Sequence, residues 1–197
     1  MLFRSDVKFV KTADDGLQLN ANDRTKIGSS LPDFTYGLNF NFGYKGFDLL
    51  VFLQGVYGVD IANAKVQQLY HSKLEGNIAK EMMNRWTPEN PGNKYPRMTE
   101  LNPNENQRFS DRYIENGSYL RVKNIQLGYT LPKAITQKAK LNTLRIYASV
   151  DNLHVFTKYS GFDPEIGDQG GNVLNPNIDQ GTYPRPRVMT LGLNLTF

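Results

Sequence analysis

The chain has no cysteine. That removes a disulfide framework, a thiolate metal site and a cysteine nucleophile together. Histidine is scarce: His71 and His154 stand far apart with no HExxH spacing, so a catalytic metal would have to be built mostly from carboxylates. Long apolar runs are missing as well. The longest, Leu49 to Leu53, falls far below the ~18 residues of a membrane-spanning helix. Met1 to Asp6 lack the run of ~7 or more apolar residues that a secretion signal needs; for an exported protein the expectation is that translation begins upstream. Charge of one sign is not in excess either. With 23 Lys and Arg against 19 Asp and Glu, the net charge of +4 is mild and scattered, and no basic stripe alternates with aromatics, so nucleic acid is not an expected partner. Mean hydropathy is only -0.52. A membrane barrel tolerates such a value, because each strand needs only ~9–11 residues and polar loops dilute the average.

What is present points to strands. The 197 residues hold 11 Tyr, 11 Phe and 17 Gly but a single Trp, a mix that favours strands joined by turns. In "FTYGLNFNFGY", Phe34, Tyr36, Leu38, Phe40, Phe42 and Tyr44 share one face, and Thr35, Gly37, Asn39, Asn41 and Gly43 the other. A polar face of Gly, Asn and Thr, without Lys or Glu, suits a crowded wet interior better than an open surface. Lys45-Gly46 reads as a tight hairpin into "FDLLVFLQGVY". There Leu50, Phe52 and Val56 make the second face apolar too, which requires protein rather than water against it.

A third run, Tyr119 to Leu131, alternates cleanly from Ile125 onward. Its first half, with Arg121 and Lys123 on the side that later becomes apolar, is expected to emerge from the apolar layer. A fourth run sets Leu144, Ile146, Ala148 and Val150 against Arg145, Tyr147, Ser149 and Asp151. The fifth, "VMTLGLNLTF", alternates to the last residue, Phe197. Expected strands are therefore 34–44, 47–57, 119–131, 143–156 and 187–197, in a region 34–197 preceded by an outer loop region 1–33.

The connections are unequal. Two residues join the first pair, whereas about sixty separate Gly58 from Ser118 and about thirty separate Thr157 from Pro186, lengths uncommon inside compact domains. Short turns at one end and long loops at the other characterise outer-membrane barrels, with the short ends in the periplasm. Within the longer excursion, Ile61, Val66, Leu69, Tyr70, Leu74, Ile78, Met82 and Trp86 have roughly helical spacing, predicting a helical insert over 61–86 made of one or two short helices with a break at Gly76. The fold class is all-β: an antiparallel meander of about five strands with long outer loops. Five strands cannot close a membrane barrel, since known ones begin at about eight, and open edges in hydrocarbon cost several kcal/mol per unsatisfied group. The expectation is thus the tail of a larger barrel. A soluble β-rich binding or adhesion module is the alternative.

Five stretches, "NDRTKIGSSLPDFTYGLNFNFGYKGFDLLVFLQGVYGVDI", "NRWTPENPGNKYPR", "SDRYIENGSYLRVKNIQLGYTLP", "LRIYASVDNLHVFTKYSGFDPEIG" and "YPRPRVMTLGLNLTF", together resemble the C-terminal part of the SusC/RagA-type TonB-dependent outer-membrane transporters. The resemblance implies the last five strands of a 22-stranded barrel in the outer membrane of a Gram-negative bacterium. It also implies import of oligosaccharides or peptides, a SusD-like surface lipoprotein lid, energy from the TonB complex through a missing N-terminal part, and outer-membrane lipid around the wall. Phe197 resembles the recognition signal for the barrel assembly machinery. The family often carries a D-x-N-x-D-G calcium-like loop before these strands; here Lys11 and Ala13 take the first two ligand positions of "KTADDGLQLNAND", and only Asp15, Gly16 and Asp23 remain. An acidic surface turn is expected there instead.

No catalytic, cofactor-binding or metal residue is expected, and the chain is read as a non-enzyme. His71 and His154 read as packed or solvated histidines. Asp163 and Glu165 in "GFDPEIGD", which could suggest a hydrolase pair, read as an acidic turn because Pro164 and glycines flank them. Asn116 and Asn194 begin sequon-like triplets that carry no meaning in a bacterial barrel. Trp86, Tyr95, Tyr159, Phe162 and Tyr183 fall in the outer loops, as candidate contacts for cargo or the lid protein.

Overall fold

The computed structural model describes residues 5–16, 18–71, 76–92, 94–167 and 174–197. The chain divides into two compact units, one of Met1–Ser29, Ile61–Glu115 and Gly167–Gly181, the other of Ser30–Asp60, Asn116–Ile166 and Thr182–Phe197.

The second unit is built on one antiparallel sheet. In chain order its strands are β1 (Phe34–Tyr44) and β2 (Phe47–Tyr57); after the short β3 (Asp60–Ala62), helix α1 (Ala64–Leu69) and β4 (Ile114–Asn116) come β5 (Tyr119–Thr130), the single helical turn α2 (Lys133–Thr136), β6 (Thr143–Thr157) and β7 (Val188–Thr196). The sheet order is β1-β2-β5-β6-β7, an up-and-down meander. The β1–β2 turn is two residues long, and Lys45 and Gly46 both adopt positive φ, 45° and 87°, the conformation that matches strand twist in a tight hairpin. Beyond its positive φ, Gly46 is favoured by a close approach: a Cβ there would fall 2.8 Å from the Thr130 carbonyl oxygen, in a place held by the Gly46 carbonyl accepting the Thr130 N–H at 2.8 Å.

Register sorts the side chains into two faces. Phe34, Leu38, Phe40, Phe42 and Tyr44 lie opposite Tyr57, Leu53, Val51, Leu49 and Phe47. The same face continues through Tyr129, Leu127 and Ile125 of β5, Ile146, Ala148 and Val150 of β6, and Leu193, Leu191 and Met189 of β7. Its large groups are open: Phe34, Leu38, Phe40, Phe42 and Phe47 are 42–60% exposed, and Leu191 reaches 86%. The apolar area on this face is on the order of 1,000 Å², against the ~300–600 Å² of the largest patch on an ordinary soluble monomer.

The first half of β5 corrects the sequence reading. It does not leave the apolar layer. The pairing skips Lys123: Phe52 faces Asn124 but Leu53 faces Val122, so a bulge returns Val122 and Leu120 to the apolar face and turns Arg121 and Tyr119 to the polar one. On β6 the same irregularity spans Asp151 to His154, where Asn152 takes φ +51°.

The first unit is irregular. Residues 177–179 run parallel to 62–65, with Ala62 and Asp179 exchanging backbone bonds at 2.9–3.0 Å with this segment. Ile61 and Met82 are fully enclosed. Of the short helices expected within 61–86, one forms as α1, ending at Leu69, and Lys80–Asn84 form a 3-10 helix, while Ile61 and Ala62 belong to β3 instead. Burial of Ile61 in a strand outweighs its helical spacing, Asn63 starts α1 by accepting the Val66 N–H at 3.1 Å, and Gly76 at φ +72° is incompatible with a continuous helix. Leu74 lies outside the described residues.

Candidate functional site

The polar face of the sheet carries the chemistry, and its charges are placed by register. At the turn end, Asp48 of β2 and Arg145 of β6 reach across the intervening β5 strand and form a two-pronged ion pair, with Arg145 Nε donating at 2.9 Å. They meet over Gly128, where an added Cβ would press on both groups. The Arg145 guanidinium also lies 5.1 Å from the Tyr147 ring centre, and Tyr147 in turn covers Gly192 of β7. Small residues on the polar face thus make room for long side chains that tie β2, β5, β6 and β7 together.

At the loop end, Arg121 projects from β5 and ion-pairs with Asp163 in the β6–β7 connection, both side chains being at most 5% exposed. Asp163 accepts two further hydrogen bonds, both from backbone: the same oxygen takes the Glu165 N–H at 2.9 Å, and its other oxygen takes the Arg185 N–H at 3.3 Å. Glu165 sits 3.0 Å from Arg185, 3.4 Å from Arg121 and 3.5 Å from Lys123. One buried carboxylate therefore fixes both limbs of the 158–187 loop to the wall. Ion-paired in this way, Asp163 and Glu165 anchor backbone, and the hydrolase pairing suggested by their spacing finds no support in the geometry. The bulge at Lys123 is what aims Arg121 at them.

The five candidate aromatics fare differently. Tyr159 is 6% exposed and packs its ring against Gly161, leaving no face for a ligand. Phe162 and Tyr183, on the anchored loop, are 67% and 86% exposed. In the first unit, Trp86 is half-buried and donates its backbone N–H to Tyr95 at 3.1 Å. Tyr95 stacks on Tyr70 with ring centres 5.5 Å apart and borders a depression of ≈ 50 Å³ that Asp6, Lys94 and Arg112 also line. His154 is exposed on the apolar face, edge-on to Phe156, and His71 is half-buried in the first unit. Phe197 follows β7 at 83% exposure. The Arg121–Asp163 anchor was missed from sequence, although two cations inside an otherwise apolar strand were its visible trace.

The apolar face has aromatic groups at both ends. Phe34 stacks on Tyr57 at 5.1 Å at the loop end, and Phe47 meets Tyr129 at 4.4 Å at the turn end. An eleven-residue β1 separates these belts; at ~3.3 Å per residue and a tilt of ~40° that distance projects to about 25 Å, the height of the apolar band of a membrane barrel. A strand meander with one open apolar face, aromatic belts at that spacing and a polar, ion-paired opposite face defines a section of transmembrane β-wall.

Comparison with known proteins agrees. No protein-family model matches the chain. TonB-dependent receptor P3 of Formosa agariphila is 37% identical over 188 residues, covering 93% of this chain and 18% of that protein. TonB-dependent receptor SusC of Bacteroides thetaiotaomicron is 40% identical over 90 residues, 45% of this chain and 8% of SusC. The RagAB peptide importer in its open-open state superimposes with a TM-score of 0.76 at 26% identity, over 99% of this chain and 21% of the matched one. The chain belongs to the SusC/RagA-type TonB-dependent transporters and spans about a fifth of the length of the curated relatives it matches over nearly its whole extent.

Proposed function

We propose that this chain supplies five strands and two outer loops to the wall of an outer-membrane transporter that imports oligosaccharides or peptides in a TonB-dependent manner. The observation that carries the reading is the open apolar face bounded by aromatic belts. In water that face is a liability, and in a bilayer it is the required surface. The edges of β1 and β7 pair with strands elsewhere in the full-length protein, because unpaired backbone groups are not tolerated in hydrocarbon. The polar face of Asn, Thr, Gly and paired charges lines the interior, and the wall itself performs no catalysis.

The rest of the machine lies outside this segment. TonB acts through another part of the protein, a SusD-like surface lipoprotein covers the mouth, and the barrel assembly machinery reads a terminal aromatic, here Phe197. Phe162 and Tyr183, presented on a loop anchored by Asp163, are the side chains we assign to contact with cargo or lid; Trp86 and Tyr95 play a lesser part, and Tyr159 is a packing residue. The family relation and the RagAB likeness support this reading. The test is fractionation and uptake: the full-length protein should need detergent for extraction, and its deletion should abolish growth on an oligosaccharide or peptide source. Release into buffer without detergent refutes the wall. Retention in the membrane with unimpaired growth on every such source refutes the cargo class.

A further inference from the structure

The loop from Lys11 to Asp23 closes around a positive charge that belongs to the chain itself. The Lys11 ammonium is ion-paired with Asp15 and lies 3.4 Å from each carboxylate oxygen of Asp23. The remaining capacity of both carboxylates is met from within the loop. Asp15 accepts the side-chain amides of Asn20 at 2.9 Å and Asn22 at 2.8 Å. Asp23, whose side chain is 6% exposed, accepts the backbone N–H groups of Thr12, Ala13 and Asn20, all at 2.9 Å, and so staples the two limbs of the loop together.

Carboxylate-lined loops of this length ordinarily close on a hard divalent cation, which demands about six to eight oxygen ligands. This loop does not offer them. Among the described residues there is no group of three or more His, Cys, Asp or Glu that could hold a metal. Asn20 and Asn22 turn N–H donors, not oxygens, toward Asp15, and the Asn20 side-chain oxygen is engaged by the Asn22 N–H at 2.7 Å. Two carboxylates drawn together need a cation between them, since like charges at close range repel. Among the described residues, the cationic group that reaches both is the Lys11 ammonium.

We propose that the Lys11 ammonium is the resident cation of the Lys11–Asp23 loop, closing it without any divalent metal. The consequence is a loop whose shape is indifferent to calcium, controlled by one residue. Replacing that residue by a carboxylate should exchange an internal cation for a bound one.

Hydrogen exchange at the Thr12, Ala13 and Asn20 amides of the full-length protein in detergent reads the staple directly. In the unaltered protein, protection should be the same in chelator and in about 1 mM Ca²⁺, a concentration that fills weak extracellular sites; a rise in exchange on chelation would show a bound metal and overturn the proposal. Lys11→Met should exchange at least ~10-fold faster at these amides than the unaltered protein, and equal rates would overturn it. Lys11→Asp should be fast in chelator and regain protection in Ca²⁺, whereas no response to Ca²⁺ would deny that the ammonium stands in a cation's place. Should either variant fail to fold, the chelator comparison on the unaltered protein still decides.

Discussion

Asp163→Ala tests whether the β6–β7 loop is fastened to the wall or merely lies near it. The substitution leaves the Arg121 guanidinium, 4% exposed, without its ion-pair partner; stripping a buried charge of its partner costs about 3–5 kcal/mol. Glu165 remains 3.4 Å from Arg121 Nε and offsets part of that loss, while the orphaned N–H groups of Glu165 and Arg185 add ~1 kcal/mol each. A net cost of ~3 kcal/mol corresponds to an opening equilibrium about a hundredfold more populated. The assay is hydrogen exchange of the Glu165 and Arg185 amides in the full-length protein, with Arg108→Ala as control, since its partner Glu105 is 64% exposed and such pairs contribute ~0–1 kcal/mol. Arg121→Met combined with Asp163→Leu should restore much of the protection, because apolar replacement of a buried pair is often neutral. Exchange in Asp163→Ala within about threefold of the unaltered protein would refute the anchor.

Gly55→Ala should lower the yield of folded protein far more than Gly43→Ala, because its Cβ would fall 2.6 Å from the Tyr119 carbonyl oxygen and against the Tyr36 ring, whereas at Gly43 the nearest atom is 3.9 Å away; heat-modifiable mobility on a gel reads the folded fraction. Leu193→Arg, on the open apolar face, should destabilise by up to ~2–4 kcal/mol if it lies near the bilayer midplane, while Asn194→Arg on the polar face should be tolerated, as measured by denaturant titration in lipid vesicles. The Lys11–Asp23 loop should open in acid. Backbone N–H bonds, first from Ala13 and Asn20, hold the Asp23 carboxyl down at about 2, and bonds from Lys11, Asn22 and Asn20 depress Asp15 below the usual carboxylate range. Both contributions are complete above about pH 4 and fade as pH falls toward 2. Lys11, raised by its bond to Asp15, contributes below its ordinary value and loses that only as pH climbs beyond it. Amide chemical shifts of Thr12 and Ala13 should therefore move between pH 4 and 2 and stay flat from 5 to 9.

The wall was legible because a strand's period is two and its two environments differ sharply. From Phe34 to Tyr44, and again from Thr190 to the end, every second residue is large and apolar and every other is small or polar, which leaves little choice of face. Legibility stopped where one residue broke the period. Lys123 shifts β5 by a single position, and a pattern that carries no partner information cannot distinguish a bulge from a strand leaving its layer. The start of the 61–86 insert was misplaced for another reason: helical spacing of Ile61, Val66 and Leu69 is equally the spacing of residues that meet a local core in separate pieces, and Ile61 is enclosed in a strand. Among the candidate aromatics, composition and loop position could not separate exposed Tyr183 from buried Tyr159. That difference depends on Gly161, whose missing Cβ admits the Tyr159 ring.

The two faces of the sheet follow one size rule in opposite senses, and this links the fold to the proposed transport path. On the apolar side bulk is added wherever the register allows, and glycine appears only at Gly55, where the Tyr36 ring crosses to donate to the Tyr119 carbonyl oxygen at 3.2 Å. On the polar side glycine recurs under long groups: Gly37 beneath Phe52, Gly128 beneath Asp48 and Arg145, Gly192 beneath Tyr147. Asp48, Arg145 and Tyr147 there reach sideways over neighbouring strands. Charges held in this way are paired on the surface that carries them, so they neither fill the interior nor seek partners across it. In the proposed transporter, a polar lining kept low, with Asp48 and Arg121 paired in place, would leave room for a solute and offer it amides and hydroxyls, groups that exchange readily with the hydrogen bonds of a sugar or a peptide backbone.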